Sequence, residues 1–544
     1  MKAKILLLVL LTVLLAALPA QADVILPEGT VEIEERAFMN DTRLTGTLIV
    51  PAGVQEIDAE SFRNCTGLTG ITFTDTPVII DSLAFAGCTG LAGTTVYVPK
   101  GSTIAADAFD STVTIVIAGL DDYPPVVPSM IQPEHTTLTI YDWWSGDGDR
   151  DLYPDEIEQK NYDYHDWIES TYNVKIVQKT GGDWTTNAEE MINFTSAPDD
   201  SLRMYIIEPG RVGSLVANGI AASWGNYDLS APKWNKGTID LWTMGGQHYG
   251  VSVGAHEPRA LVYFNKRLLE EAGIDWNSIY DMQAAGTWTW SAFESMLKKT
   301  TLDTDNDGVI DIWGVSGSSD YMYLLAVLGN GGSFFDFDSN GKLQPTMDSA
   351  ASMAALNWAK EIQNTYWMLQ PEDANWDWYK EAWKEGKFTF YINEAYCGFN
   401  AWSEMRGMED EWGAVAFPVP SAGSKYITNP SENTALIPNV YDAETVQTIA
   451  FFYDLWTNDA PGVNSGDSWR SGKYALTDKR AVDETYAMLR KASHGVADKF
   501  VYLGTQNDIL GASLLWQLAD SSPAELIEAA MPAWQALCDT FNSK

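Results

Sequence analysis

Cysteine is scarce in this sequence, and its scarcity excludes a disulfide-stapled scaffold. The 544 residues contain only four, Cys65, Cys88, Cys397 and Cys538. They are too few and too scattered for a disulfide framework, and none belongs to a Cys-x-x-Cys pair. A chain of this length has room for two to four domains with sizeable apolar cores, so it needs no covalent staples.

Basic residues are also few, because 34 Lys and Arg stand against 74 Asp and Glu, a formal charge of −40. Such an acidic surface repels DNA, RNA and anionic lipid, so no nucleic-acid partner is expected. The acidity does not identify a partner by itself, since solubility outside the cell also accounts for it.

Long apolar runs are missing except at the N-terminus. Lys2 and Lys4 precede an apolar stretch over residues 5–18, and Ala20-Gln21-Ala22 has the small-x-small pattern that signal peptidase cleaves. The run is short for a membrane span, which needs about 20 residues. Residues 1–22 are therefore predicted to be a signal peptide. No lipid-anchor cysteine follows it, so we expect a secreted, extracellular or cell-surface protein that does not span a membrane.

Tryptophan is absent from the first 142 residues, although the chain has 22 of them. Residues 23–118 contain an internal repeat instead, in which phenylalanine recurs every 23 or 24 positions, at Phe38, Phe62, Phe85 and Phe109. One such unit cannot bury its own apolar side chains, whereas stacked units form a continuous core. The spacing predicts a short stack of repeats.

The repeat unit, with Ser61-Phe62 followed by Cys65-Thr66-Gly67-Leu68, resembles the leucine-rich repeats of the bacterial surface-antigen (BspA-like) type. That type shares an Ala/Ser-Phe-x-x-Cys-x-x-Leu unit. The resemblance covers residues 24 to about 118 in about four units and implies a β-solenoid with Cys65 and Cys88 at stacked, buried positions. A disulfide between them stays open as the alternative, because adjacent units lie near sheet spacing.

Residues 119–136 end the repeats, and their prolines predict an extended, fairly stiff linker. From residue 137 to 544, strand-like and helix-like segments alternate, which favours an α/β fold with mixed or parallel sheets. The predicted strands cover residues 137–140, 174–177, 204–207 and 261–264. The predicted helices cover residues 162–172, 349–366 and 444–455.

Several blocks of this second part resemble, in order, the family-1 extracellular solute-binding proteins of sugar ABC importers. The blocks lie at residues 142–144, 249–254, 261–266, 287–294, 303–314, 386–391 and 433–438. Each block is a weak match by itself, and the resemblance depends on their occurring in the same order over most of residues 137–544. It implies a periplasmic-binding-protein-like domain with two α/β lobes, crossing segments between them and a ligand in the cleft. The expected partners are a carbohydrate and an ABC importer permease.

The chemistry of sugars suggests which residues would line that cleft. Aromatic side chains stack on the apolar faces of a sugar, and Asp, Glu and Arg bind its paired hydroxyls. Hinge closure then excludes water from the contact. The candidates, most of them placed just after predicted strands, are Trp143 and Trp144 (competing for one position), Glu208, Arg211, Tyr396, Trp402 and Trp516. We expect an oligosaccharide-binding protein without catalytic activity, with binding confined to residues beyond 136.

An acidic segment at residues 303–311 matches the first nine positions of a calcium-binding loop. Its predicted ligands are Asp303, Asp305, Asp307, Val309 and Asp311. Gly314 occupies the twelfth position in place of the bidentate glutamate, so a solvated acidic turn is the alternative. No cofactor is required for the predicted function, and Ca²⁺ is the one ion that the sequence suggests.

Two other classes of protein stay open as alternatives. A glycoside hydrolase needs two carboxylates at a fixed separation, which an acidic chain could supply. A surface adhesin or scaffold would instead use the repeats to bind a cell-surface partner. A serine hydrolase is disfavoured: Gly250-Val251-Ser252-Val253-Gly254 fits its G-x-S-x-G pattern, but Pro258 argues against the helix that must follow.

Overall fold

The computed structural model describes residues 24–26, 30–51, 53–73, 77–99, 101–117, 123–124, 126–399, 405–429, 432–463, 469–470 and 477–543. The predicted signal peptide, residues 1–22, and the candidate Trp402 lie outside these residues. Within the described ranges, no helix combines the length and the apolar character needed to cross a membrane.

The repeats fold into two parallel sheets that share one core. One sheet has the order β1-β3-β5-β7-β9 and the other the order β2-β4-β6-β8. The strands are β1 (Val24–Ile25), β2 (Glu32–Ile33), β3 (Gly46–Val50), β4 (Glu56–Ile57), β5 (Leu68–Phe73), β6 (Ile79–Ile80), β7 (Thr95–Val98), β8 (Thr103–Ile104) and β9 (Thr114–Ile117). Each repeat places one strand in each sheet, as a stacked solenoid requires.

The repeated phenylalanines form a ladder through this core. Neighbouring rings stack with centroids 4.9–5.1 Å apart, and Phe62 and Phe85 are buried between their neighbours. Cys65 and Cys88 are buried and free, and each thiol donates to a phenylalanine carbonyl of the preceding unit, at 3.0 and 3.1 Å. The cysteines therefore occupy ladder positions without a disulfide.

Carboxylates also stack along one edge of the repeats. The amide of Asp58 donates to Ile33 O and that of Asp81 to Ile57 O, so the two residues occupy equivalent positions in successive units. One carboxylate oxygen each from Glu56, Asp58 and Asp81 lies within 4.8 Å of the others. Burial and the charges of Asp81 and Asp58 together raise the pKa of Glu56 to about 8, and Lys491 opposes the shift.

This raised pKa makes the stability of the repeats depend on pH. The folded repeats hold a proton on Glu56 that the unfolded chain releases near pH 4.5, so stability is full below that pH and falls as the pH rises towards 8. We expect Glu56→Gln to remove this loss and to be more stable than the parent at pH 8 by more than about 1.4 kcal/mol, the equivalent of one pKa unit. Urea unfolding followed by far-UV circular dichroism between pH 5 and 9 measures it, and parallel pH profiles for the two proteins would contradict it.

The first lobe is built on a mixed sheet with the order β11-β10-β12-β21, in which only β21 is antiparallel. Its strands are β10 (Thr136–Asp142), β11 (Val174–Thr180), β12 (Leu202–Ile207) and β21 (Thr434–Leu436), with a hairpin of β13 (Thr243–Met244) and β14 (Gln247–His248). Its helices are α1 (Glu156–Tyr172), α2 (Glu189–Ser196), α3 (Pro209–Ala217), α4 (Lys236–Leu241) and α12 (Ala443–Trp456).

The second lobe has a sheet with the order β16-β19-β15-β20. Its strands are β15 (Ala260–Asn265), β16 (Trp313–Gly317), β19 (Phe388–Glu394) and β20 (Trp412–Val415), with a hairpin of β17 (Phe335–Phe337) and β18 (Leu343–Pro345). Its helices are α5 (Lys266–Glu271), α6 (Asn277–Ala284), α7 (Trp290–Thr300), α8 (Ser319–Gly329), α9 (Ala350–Tyr366), α10 (Tyr379–Lys384), α11 (Tyr396–Phe399), α13 (Ala487–Leu489) and α14 (Pro523–Asn542). The central strand β15 is buried along its whole length.

Within the described residues, three crossing segments join the lobes, at residues 251–259, 416–429 with 432–433, and 490–498. The second and third pair through their backbones, since Thr428 N donates to His494 O at 3.0 Å and Val496 N donates to Thr428 O at 2.9 Å. The chain then continues as a helical turn, Lys499–Tyr502, against α3. A Cβ on Gly213 of α3 would lie 2.3 Å from Val501 O, so only glycine permits this packing.

The predicted strands and helices of the second part are all present, and the strands are each two or three residues longer than predicted. The largest error is at α1, which begins at Glu156 instead of residue 162. Asp155 and Glu158 form a capping box there, and this polar first turn lacks the apolar periodicity on which the prediction depended. The predicted linker packs on the same helix, because Tyr123 stacks on Trp167 at 4.9 Å.

Candidate functional site

The cleft between the lobes is bordered by strand ends from both sheets. In the first lobe, Asp142 of β10 pairs with Ile206 of β12, so the residues that follow these strands, including Trp143 and Glu208, leave the sheet side by side. In the second lobe, β15 is antiparallel to β19, and Ala260 pairs with Glu394. This pairing places Arg259, which precedes β15, at the end of β19.

Arg259, Tyr321 and Glu394 form a closed polar triangle at this edge of the second lobe. Arg259 Nη2 lies 2.8 Å from Glu394 Oε1, Arg259 Nε donates to Tyr321 Oη at 2.9 Å, and Tyr321 Oη donates to Glu394 Oε1 at 2.6 Å. Burial alone would lower the pKa of Arg259, but Tyr321 and Glu394 raise it, so the guanidinium stays charged. Its side chain is 34% exposed, which leaves donors for a ligand.

Glu208 approaches the triangle from the first lobe. Its Oε2 is buried without a hydrogen-bond partner, and its backbone amide donates to Asn187 Oδ1 at 3.1 Å. Burial raises the pKa of Glu208, and the positive charges of Arg259 and Arg211 offset part of this shift. A buried carboxylate oxygen without a donor is costly, so a hydroxyl-bearing ligand would find an acceptor ready here.

Trp143 and Trp144 lie at the end of β10, where Asp142 turns the chain. Asp142 Oδ1 accepts from the amides of Trp144 and Ser145, at 2.8 and 3.1 Å. The two indoles meet edge to face with centroids 5.5 Å apart. Trp144 is 59% exposed, whereas Trp143 is partly buried and its Nε1 lacks a partner. Of the two, Trp144 presents the open ring face.

Tyr396 and Trp516 provide further aromatic surface in the second lobe, and they are 47% and 57% exposed. Tyr396 follows Glu394 by two residues. Trp516 Nε1 donates to Asp320 Oδ2 at 3.2 Å, and Asp320 precedes Tyr321 of the triangle. Both candidates therefore lie beside the polar triangle. Their large exposure leaves both rings available to a ligand.

Arg211 lies in the first turn of α3, where its Nε donates to Trp184 O at 3.3 Å. Trp184 itself is exposed on the loop after β11. Glu208 lies near both Arg211 and Arg259. Arg259, Tyr321, Glu394 and Trp184 were missed by the sequence analysis, which considered mainly residues after predicted strands. Arg259 precedes its strand, and only the antiparallel pairing of β15 with β19 brings it to the cleft.

The acidic loop at residues 303–311 lies in the second lobe, between α7 and β16. Asp303, Asp305 and Asp311 offer carboxylate oxygens within 4.8 Å of one another. Asp307 is not part of this group, and its Oδ1 accepts from the amide of Val309 at 2.8 Å. Asp303 likewise accepts from the amide of Gly308 at 2.8 Å. These bonds fold the loop by themselves, so calcium binding stays a prediction.

Chelation provides the test of calcium binding. If Ca²⁺ binds here, a chelator should lower the melting temperature of the Ca²⁺-loaded protein. An ion that binds only the folded state raises the free energy of unfolding, by about 2.7 kcal/mol when its free concentration is 100 times its Kd. Asp305→Ala should abolish this sensitivity. Asp338→Ala, which removes an exposed aspartate from another turn of the same lobe, should keep it. Identical melting curves with and without chelator would leave only the solvated turn.

Ser252, at the centre of the G-x-S-x-G pattern, is buried, and its Oγ donates to Thr238 Oγ1 at 2.7 Å. The chain after it enters the first crossing segment and then β15, not a helix. The strand, elbow and helix that a serine nucleophile requires do not form at this position.

Two family models match the chain. The model described as bacterial extracellular solute-binding protein matches residues 154–488, more than half of the chain. The model described as BspA type leucine rich repeat region matches residues 20–118 in six copies, compared with the four units predicted. A comparison with curated protein sequences gave no significant match.

Three solved structures with similar folds are distant in sequence. A cyclic alpha-maltosyl-1,6-maltose binding protein from Arthrobacter globiformis is 15% identical, and the match covers 75% of this chain and 99% of that one with a TM-score of 0.52. UspC from M. tuberculosis is 15% identical, with 74% and 100% coverage and a TM-score of 0.51. A cyclo/maltodextrin-binding protein complexed with maltotetraose is 12% identical, with 75% and 97% coverage and a TM-score of 0.50.

At these identities the similarity shows the fold alone, and that fold is the two-lobed α/β architecture found here. The matched family model covers the strands of both lobe sheets except β10, and the cleft residues Glu208, Arg259, Tyr321, Glu394 and Tyr396. The chain therefore belongs to the bacterial extracellular solute-binding protein family, and it carries BspA-type leucine-rich repeats ahead of the solute-binding domain.

Proposed function

We propose that this protein captures an oligosaccharide in the cleft between its lobes and does not cleave it. The observation that carries the proposal is the meeting of a polar triangle with open aromatic rings. Arg259 and Glu394 can bind paired hydroxyls on the rim of a sugar, and Glu208 offers a buried acceptor from the opposite lobe. Tyr396, Trp516 and Trp144 can stack on its apolar faces.

The polar groups also suit a neutral ligand better than a charged one. Arg259 is balanced by Glu394, and Arg211 lies near Glu208, so neither sign of charge is left in excess among these four. An anionic ligand would have to compete with the two carboxylates, and a cationic one with the two guanidiniums. Hydroxyl groups can donate to the carboxylates and accept from the guanidiniums at the same time.

A titration against glycans tests this proposal. Isothermal titration calorimetry would use linear and cyclic glucose oligosaccharides, with maltotetraose and cyclic alpha-maltosyl-1,6-maltose first because the cited structural neighbours bind them. Saturable binding of one glycan, lost in Tyr396→Ala, supports the proposal. No binding across a broad panel would contradict it and favour the adhesin or scaffold alternative.

Product analysis after long incubation separates binding from hydrolysis. Glu208 and Glu394 both lie near Arg259, so the hydrolase alternative would assign the two catalytic carboxylates to them. We expect intact oligosaccharide after incubation. Cleaved product that disappears in Glu208→Gln would place the protein among the hydrolases instead.

Delivery of the captured sugar to an ABC importer permease completes the proposal, together with export by the predicted signal peptide at residues 1–22. Family membership supports both steps. Deletion of the gene should reduce uptake of the bound glycan by the producing cell, and mass spectrometry of the secreted protein should find an N-terminus near Asp23.

A further inference from the structure

The stacked carboxylates of the repeats lie against the third crossing segment. Lys491 Nζ lies 2.7 Å from Asp58 Oδ2, and the two side chains are only 18% and 5% exposed. The partners are 433 positions apart in sequence, so this contact joins the repeats directly to the solute-binding domain. Burial lowers the pKa of Lys491, but Asp58, Asp81 and Glu56 raise it by more, so the ammonium stays charged among three acidic groups.

Lys491 also adjoins the contacts that hold the three crossing segments together. Three residues on, His494 O accepts from Thr428 N of the second segment. One residue back, Arg490 forms an ion pair with Glu257 of the first segment. A displacement of Lys491 therefore moves residues that bind both other segments.

The packing around these segments leaves little room for gradual adjustment. A Cβ on Gly495 would lie 2.9 Å from the ring of His256, and His256 is buried in contact with Glu432 of the second segment. Closely packed segments of this kind change between discrete arrangements more readily than they deform continuously. A contact that favours one arrangement therefore shifts the balance between open and closed lobes.

We propose that the repeat domain regulates the cleft, because the Asp58–Lys491 ion pair holds the third crossing segment in its open-lobe position and so opposes closure. The inference rests on the proposed function, in which closure captures the ligand. The ion pair is present in the structure in which Trp144, Tyr396 and Trp516 are exposed to solvent, and we assign this arrangement to the open state. A contact that is stronger in the open state than in the closed state shifts the equilibrium towards the open state, by the difference between its free energies in the two states.

The ligand-binding residues all remain in the solute-binding domain under this proposal. The repeats contribute to the affinity only through the position of Lys491. A protein without the Asp58–Lys491 contact should close more readily and bind its ligand more tightly, since ligand affinity rises with the population of the binding-competent state.

The test measures lobe closure without any sugar. Double electron–electron resonance gives the distribution of distances between two spin labels attached to the full chain. Ser145 lies just after β10 on the first lobe. Leu369 lies two residues after Trp367, which pairs in parallel with Val315 of β16 on the second lobe. Both residues are exposed, so labels there report on the distance between the two edges of the cleft. Cysteines introduced there can be labelled selectively because the four native cysteines are buried. Asp58→Asn is expected to raise the population at short distances by about 5-fold, the lower end of typical coupling.

Asp41→Asn is the matched control, since Asp41 pairs with Arg43 inside the repeats. It should leave the distance distribution unchanged. Lys491→Met tests the same contact from the other side, should Asp58→Asn fail to fold, and the double variant should match either single variant. An unchanged or longer distance in both single variants, or effects that simply add in the double variant, would overturn the proposal. The result is independent of which ligand the cleft binds, so a failed glycan titration and a failed hinge proposal remain distinguishable.

Discussion

Replacing Arg259 with methionine is expected to weaken oligosaccharide binding by roughly 30-fold or more. The change removes the fork of donors from the polar triangle and leaves Glu394 without its cation. A hydrogen bond from a charged group such as this guanidinium to a ligand hydroxyl is worth about 1.5–3 kcal/mol, and each 1.4 kcal/mol is tenfold in affinity. Isothermal titration with the tightest-binding glycan measures the loss. Arg259→Lys keeps the positive charge but loses the planar guanidinium, so its affinity should lie between those of the wild-type protein and Arg259→Met.

Arg267→Met is the matched control for this prediction. Arg267 belongs to the same lobe and is also paired with carboxylates, Asp410 at 2.7 Å and Glu271 at 2.8 Å, but it lies on the second lobe away from β15's cleft end. Its replacement should leave the affinity unchanged. Equal affinities for Arg259→Met and Arg267→Met would remove Arg259 from the binding site.

Replacing Phe62 with alanine is expected to cost the repeats about 3–5 kcal/mol, the usual range for a fully buried phenylalanine. Phe62 stacks between Phe38 and Phe85, so its loss opens a cavity in the middle of the ladder. The loss is a large share of the stability of a small domain. Urea unfolding followed by far-UV circular dichroism measures it. Tryptophan fluorescence reports the solute-binding domain alone, because no tryptophan precedes Trp143.

Phe73→Ala serves as the control in the same repeats. Phe73 lies at the end of β5, is only partly buried and packs at the margin of the core. Its replacement should cost clearly less than that of Phe62. Equal losses at the two positions would contradict a core organised around the phenylalanine ladder.

The repeats and the lobe strands could be predicted because their signals are local. Phenylalanine at intervals of 23 or 24 residues indicates stacked units. The apolar run at residues 261–264 can be identified as a strand from the local sequence alone. Helix α1 shows where local pattern fails, since a polar capping box extends it by six residues without adding apolar periodicity.

The centre of the candidate site could not be predicted in the same way. Arg259 reaches Glu394 through the pairing of β15 with β19, strands more than 120 residues apart in the sequence. Asp58 and Lys491 meet because two domains dock, which leaves no trace in either local sequence. Trp143, Trp144 and Glu208 were accessible to prediction because they follow strands, and loops at the carboxyl ends of strands border clefts in α/β folds.

Small-angle X-ray scattering of the full chain with and without a bound oligosaccharide tests the central claim most directly. The claim is that two lobes, open in the free protein, close on a carbohydrate. Saturation with a glycan identified by titration should lower the radius of gyration of the wild-type protein and leave that of Arg259→Met unchanged at the same concentration. A scattering profile that does not change when a tightly bound glycan saturates the wild-type protein would contradict capture by closure.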